Sequence, residues 1–259
     1  MRIATWNING LNARLDYIRH WLEAVSPDVV GLQELKMQDE KFPHEAFREL
    51  GYFATTLGQK SWNGVAILSK KPVEASTRGL PGQEGFGARL ISAKVDGVHF
   101  ATVYCPNGKR LEHDDYGRKL EWFDDLLAWM NAEVRPSDPF VLCGDFNIVP
   151  TGLDSWNEER FAGDIFHTDA ERERLASIQR WGLMDLWRET YPEEPGHTWW
   201  DYRGGAFHRR MGLRIDLILG TASIRTRVED VFVSRDWRKK IEGLTPSDHA
   251  PVWADLSSG

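Results

Sequence analysis

Short runs of β-branched and aromatic residues, each cut off by turn-forming residues, recur along the whole sequence and restrict it to folds built on large or multiple sheets. Arg2–Trp6, Val29–Gln33, Val65–Ser69, Arg89–Val95, Val98–Tyr104, Phe140–Gly144, Arg214–Leu219, Val228–Val233 and Pro251–Leu256 read as strands. Asp96-Gly97 between two of them reads as a tight hairpin. Helical spacing separates the runs: Leu15, Ile18, Leu22 and Val25 form one apolar stripe, and Leu120, Phe123, Leu127 and Met130 a second. Thr168 followed by Glu171 fits a capping box for a third helix, with Leu175 and Ile178 facing inward and Gly182 as a stop. Strand pairs at both ends of the chain, with helices interspersed, predict an α/β fold of two packed mixed β-sheets flanked by helices. No repeat, low-complexity tract or linker divides the sequence, so a single domain over residues 1–259 is expected.

Composition narrows the function classes. No stretch approaches the ~20 apolar residues that span a bilayer, and MRIATWNING lacks a basic region followed by an apolar signal core, so a cytoplasmic protein is expected. The two cysteines, Cys105 and Cys143, stand outside any CxxC pattern and are expected to be buried free thiols. A formal net charge of −7 argues against a protein that grips nucleic acid through a general positive field, so charge must be judged locally. From Arg203 to Arg214 there are four arginines (Arg203, Arg209, Arg210 and Arg214), one histidine and no acid, which is either a solvated loop or a basic rim.

Five of the apolar runs border polar residues that bind hard cations or handle protons. These are Asn7 and Asn9 after the first run, Glu34 after the second, Asp145 and Asn147, Asp216, and Asp248-His249 before the last; a sixth run ends at Tyr104. Singly, each has a plain structural reading: Asn7 and Asn9 could make Asx turns, and Glu34 could cap the next segment. Asp145 and Asn147 are harder to dismiss, because an extended Asp-Phe-Asn would put both side chains on the same side of the chain. Oxygen ligands without cysteine select a hard cation, Mg²⁺ or Mn²⁺, over Zn²⁺. Neither a GxSxG elbow nor a GxxxxGK[ST] loop occurs, which leaves water activated near a metal, with a carboxylate to take its proton.

The ordered series WNING at 6–10, GLQELK at 31–36, GVAILSK at 64–70, VYCPNG at 103–108, GDFNI at 144–148, TWWDYR at 198–203, GLRIDLIL at 212–219 and PSDHAPVWA at 246–254 resembles the exonuclease III family of AP endonucleases. The resemblance covers almost the whole chain and implies a four-layer α/β sandwich with its site at one edge of the sheets. It implies Glu34 as principal metal ligand, with Asn7, Asp145, Asn147 and Asp248 around the ion. Asp145 would activate or orient water, Asn147 hold the reacting phosphate, Tyr104 position it, and His249 contact it, oriented by Asp216. Trp199, Leu213 and Ile215 would line a small pocket for a base-free sugar, with Arg203 on a loop touching phosphates. Trp199 and Trp200 also have a core-packing reading, since the chain's twelve tryptophans must mostly be buried.

The implied activity is Mg²⁺-dependent hydrolysis of the DNA backbone 5′ to an abasic site, with 3′→5′ exonuclease and 3′-phosphatase activity, by a monomer acting on double-stranded DNA with abasic sites or 3′ ends and not on membranes. Thr151–His167 departs from the bacterial pattern, which leaves the balance between exonuclease and endonuclease action open. The wider superfamily also holds general nucleases and phosphatases of inositol phosphates or lipids, and a silent DNA-binding module is a further alternative.

Overall fold

The computed structural model describes residues 1–258, and its strands fall into two six-stranded sheets. The first runs in the order β11 (Val228–Val233), β12 (Val252–Leu256), β1 (Arg2–Asn7), β2 (Val29–Gln33), β4 (Val65–Ser69) and β3 (Phe53–Leu57). The second runs β5 (Ala75–Arg78), β6 (Leu90–Val95), β7 (Val98–Tyr104), β8 (Phe140–Asp145), β10 (Asp216–Gly220) and β9 (Met184–Asp185). Both sheets are mixed: β1 with β2 and β7 with β8 are parallel, and their other pairings are antiparallel. The helices are α1 (Leu15–Val25), α2 (His44–Arg48), α3 (Asp114–Glu133), α4 (Glu158–Phe161), α5 (Asp169–Trp181), α6 (Leu186–Thr190) and α7 (Ala222–Arg225). None among the described residues is long and apolar enough to cross a membrane.

Alternation along the strands builds the four layers. On β1, Ile3 joins Val29, Ile67, Phe100 and Val141 in a core between the sheets. Its neighbours Ala4 and Trp6 point the other way and pack with Ile18, Trp21 and Leu22 of α1. The outer face of the second sheet is covered by Trp122, Phe123 and Leu126 of α3 and by Leu175 and Ile178 of α5. Each fully buried aliphatic or phenyl side chain contributes ~1.5–3 kcal/mol. Strands buried on both faces need near-continuous apolar runs, which is why the sequence announces them so plainly.

One polar contact is embedded between the sheets. Gln33 donates its amide to Thr5 Oγ1 at 2.9 Å and to Thr102 Oγ1 at 2.7 Å, joining β1 and β2 to β7. Gly31 makes room for it, since a Cβ there would lie 2.3 Å from Thr102 Oγ1.

Most expected elements appear within two residues of their predicted bounds, and the Thr168–Glu171 capping box opens α5 as anticipated. Cys105 and Cys143 are buried free thiols. The face of α3 is rotated from the expected one: Phe123 and Met130 are buried, but Leu120 and Leu127 are only half-buried, while Lys119, Trp122, Leu126 and Trp129 go inside. The edge strands β3, β5 and β9 were not anticipated. They are short, and two of them expose part of their length, so they lack a strong apolar signature.

Candidate active site

The ends of the central strands of both sheets converge. Asn7 closes β1, Glu34 follows β2, Tyr104 and Asp145 close β7 and β8, Asp216 opens β10, and His249 precedes β12. Tyr104 and Asp145 are neighbours in the parallel β7–β8 register, and Asp145 faces Asp216 across the antiparallel β8–β10 pair. The turns that follow these strands are sharp. Asn9, Glu34, Lys36 and Asn147 all occupy the left-handed region, with φ of 47°, 56°, 52° and 49°. Such strain in bulky residues is held only where surroundings over-determine it. Gly144 precedes Asp145 with φ 144°, and a Cβ there would lie 1.9 Å from the carbonyl oxygen of Val103.

Candidate donor atoms of Glu34, Asp145 and His249 lie within 4.8 Å of one another. Asn7 braces the two acids, its amide nitrogen donating to Glu34 Oε1 at 2.9 Å and to Asp145 Oδ2 at 2.8 Å. Its oxygen accepts the Asn9 backbone N–H at 3.0 Å, so in this arrangement Asn7 presents donors to the acids rather than an oxygen ligand. Lys36 pairs with Glu34 Oε2 at 2.9 Å and donates to Asn9 Oδ1 at 2.5 Å. The Asp-Phe-Asn segment is not extended as expected: the strand ends at Asp145, whose Oδ1 accepts the Asn147 N–H at 2.9 Å and closes a turn. Asn147 then donates its side-chain amide to the carbonyl of Cys105 at 2.9 Å.

His249 lies beside Asp216, Nδ1 to Oδ2 at 2.8 Å, with Nε2 3.9 Å from Asp145 Oδ2. Burial would favour the neutral imidazole, but Asp216, Asp248 and Asp145 outweigh it and raise the His249 pKa, keeping a proton on the ring. Burial raises the Asp145 carboxyl, helped by Asp216 and opposed by His249, so this carboxylate holds a proton more tightly than an ordinary aspartate. Burial, with Glu34 and Asp145 beside it, keeps the Tyr104 phenol protonated well above its ordinary range. Asp248 is pulled the other way. Burial alone would raise it, but His249, the Trp199 indole and Asn9 hold it low. Its Oδ1 accepts from Asn9 Nδ2 at 2.9 Å and its Oδ2 from Trp199 Nε1 at 3.0 Å, so Asp248 joins the acid cluster to the tryptophan rather than standing inside the cluster.

Beyond Trp199 a cavity of about 560 Å³ opens, walled by Trp156, Phe161, Phe166, Trp199, Met211 and Leu213, with Arg203 and Asp201 also on its lining. Trp199 and Leu213 are thus on the wall as expected. Ile215 packs with Val149 and Leu213 and does not reach the lining. Trp200 takes the core-packing alternative, buried against Ala206, Phe207 and Ala250. Arg203 is 90% exposed and clasped by Asp201, whereas Arg214 is buried between Asp154 and Asp185 and cannot serve the basic rim. Sequence reasoning missed Trp156, Phe161 and Phe166. Their signal was available as three aromatics spaced five apart in a stretch without strand or helix periodicity.

The neighbouring carboxylates of Glu34 and Asp145 suit a divalent cation, with the protonated His249 beside them left to donate, and the apolar cavity nearby suits an uncharged ring or sugar. Residues 4–249 match the family model described as the Endonuclease/Exonuclease/phosphatase family. The chain is 35% identical to exodeoxyribonuclease III of Haemophilus influenzae, over 99% of this chain and 100% of the relative. Among solved structures it is similar to the 3′ phosphatase NExo from Neisseria bound to product DNA hairpin, with 37% identity and a TM-score of 0.95 over 100% of both chains. An AP endonuclease from Archaeoglobus fulgidus is similar at 32% identity and a TM-score of 0.95, again over 100% of both chains.

Proposed function

This chain belongs to the endonuclease/exonuclease/phosphatase family, and we propose that it is a DNA-repair nuclease that uses Mg²⁺, or Mn²⁺ in its place, to hydrolyse the phosphodiester 5′ to an abasic site. We include 3′→5′ exonuclease and 3′-phosphatase action on strand ends in the same reading. The observation that carries it is the coupling of an apolar cavity, through Trp199 and Asp248, to the cluster of half-buried Glu34 with buried Asp145 and His249. A flipped, base-free sugar fits a wall of aromatic and aliphatic side chains, and its extrusion breaks no base pair. A phosphate at a 3′ end can meet the same acid cluster, which supports the end-processing activities.

Glu34, with Asp145 beside it, would hold the cation, which supplies neutralisation of phosphoryl oxygens and steadies the leaving oxygen. Asp145, oriented by Asn7 and by the Asn147 N–H, takes a proton from the attacking water. His249, kept protonated by Asp216, donates to a phosphate oxygen, and the Tyr104 phenol donates to another. Asn147, fixed by Asp145 and Cys105, completes the phosphate-facing set. Arg203 at the cavity offers a guanidinium to backbone phosphate. The same reading has the chain act as a monomer in the cytoplasm, folded as one domain over 1–259.

A duplex carrying a single abasic site, digested with and without Mg²⁺, tests it. The expected product ends 5′ to the lesion in a 3′-hydroxyl, and chelation abolishes it. A second duplex ending in a 3′-phosphate is expected to release inorganic phosphate. Equal cutting at internal positions of intact duplex would instead make this a general nuclease, and turnover of inositol phosphates in place of DNA would refute the reading.

A further inference from the structure

We propose that Lys119 is a positioning residue for phosphodiester hydrolysis: from inside the fold it fixes both the turn that carries Asn147 and the wall of the cavity at Phe166. The proposal rests on the function read above. Lys119 sits on α3, fully buried, in a row with Trp122, Phe123 and Leu126. A buried ammonium must find acceptors for its three protons. Lys119 Nζ finds Glu171 Oε1 at 2.5 Å, the carbonyl of Asn147 at 2.7 Å and the carbonyl of Asn107 at 3.3 Å.

Each partner belongs to a different part of the site. Asn107 lies on the segment leaving Tyr104, and Asn147 follows Asp145. Asn147 holds a left-handed backbone; Lys119 binds its carbonyl and Asp145 accepts its N–H. The ammonium also lies 4.8 Å from the centre of the Phe166 ring, a contact of cation–π range. Phe166 is itself left-handed, with φ 72°, and its carbonyl accepts the Val149 N–H at 2.9 Å. Glu171 closes the arrangement, because its other oxygen accepts from both the N–H and the hydroxyl of Thr168, next but one after Phe166. One side chain therefore sets the spacing between a phosphate-facing amide and the sugar-facing wall, without reaching either ligand surface.

The test compares the full-length protein with a Lys119→Met/Glu171→Gln double variant, which removes both charges and keeps an oxygen to cap Thr168. On a cleavable duplex, kcat is expected to fall roughly 100-fold with KM within about twofold, as for a reacting group displaced by about an ångström. Amide hydrogen exchange is expected to quicken at Asn147 and Val149 while β7 and β8 keep their protection. Unchanged kcat with unchanged exchange at those two amides overturns the proposal. So does loss of protection throughout β7 and β8, which would make Lys119 a packing element only. If the parent protein cuts no phosphodiester, the proposed function fails, whereas the exchange comparison still decides whether Lys119 sets the Asn147 turn.

Discussion

Asp145 and Asp216 are direct cross-strand partners in β8 and β10, and the His249 ring reaches both, 2.8 Å from Asp216 and 3.9 Å from Asp145. Two buried carboxylates so placed repel unless a positive charge or a shared proton relieves them. His249 supplies that charge, and in return its proton is retained. The arrangement separates the roles of two chemically identical acids: Asp216 is committed to the imidazole, and Asp145 is left facing Glu34, Asn7 and the substrate space.

Replacing Asp216 with asparagine keeps the shape and removes the charge that holds the His249 proton. Cleavage of an abasic duplex is expected to fall roughly 10²–10⁴-fold, the range lost with a positioned proton donor. Single-turnover rates with Asp216→Asn check this; a rate within a few-fold of the parent removes Asp216 from the mechanism.

Trp199 has two separable contributions. Trp199→Phe retains an aromatic wall but loses the N–H to Asp248, and kcat/KM is expected to drop about 10-fold, the order of one hydrogen bond to a charged group. Trp199→Ala also opens the cavity, so it is expected to reduce the preference for abasic over intact duplex as well. Measuring kcat/KM on both duplexes separates the two, and equal discrimination in Trp199→Ala would count against the cavity as the selecting element.

Arg214 is a structural ion despite its place in an arginine-rich stretch. Its guanidinium donates to Asp154 at 2.6 Å and to Asp185 at 3.0 Å, and Arg188 reaches the same Asp154 oxygen at 2.6 Å. Arg214→Met leaves buried carboxylates without their main counter-charge and is expected to cost about 3–5 kcal/mol. Urea unfolding at neutral pH measures the loss. A stable Arg214→Met protein with weakened, less salt-sensitive DNA binding would restore the basic-rim reading for this residue.

The same cluster gives a pH dependence. Burial alone would raise the Asp154 carboxyl, but Arg214, Thr151 and Arg188 more than offset it and hold the pKa below its ordinary value. A group whose folded pKa is depressed stabilises the protein fully above its unfolded value of about 4. That contribution is lost as pH falls through the folded value. Urea midpoints are therefore expected to decline below about pH 4, and the Asp154→Asn variant to decline less steeply than the parent over that window.

The sheets and the acid cluster were legible for the same reason. Strands covered on both faces must be apolar throughout, so Glu34, Asp145 and Asp216 stand out as charges placed where a buried run begins or ends. Of the edges, β11 was legible and β3, β5 and β9 were not; β5, for one, alternates between exposed and half-buried residues and offers no apolar contrast. The cavity wall was only half visible: Trp199 and Leu213 fall in segments that resemble the family's, but Trp156, Phe161 and Phe166 come from the stretch that departs from it, where the four-residue α4 is too short for a period to show. Lys119 shows another limit. A lysine on a helix reads as a solvated charge, and only the folded chain reveals three oxygens gathered to receive it. Arg214 misled for the corresponding reason, since its two acids are 60 and 29 positions away.

The Gln33 bridge lies one residue from Glu34 and directly opposite Asn7 in the β1–β2 register, in the seam where Gly31 meets Thr102. The distance between the two sheets is thereby built into the reaction geometry, as the gap of a caliper fixes what its jaws can grip. Variants that widen this seam, which is buried from solvent, are expected to lower kcat on an abasic duplex before they lower the urea midpoint.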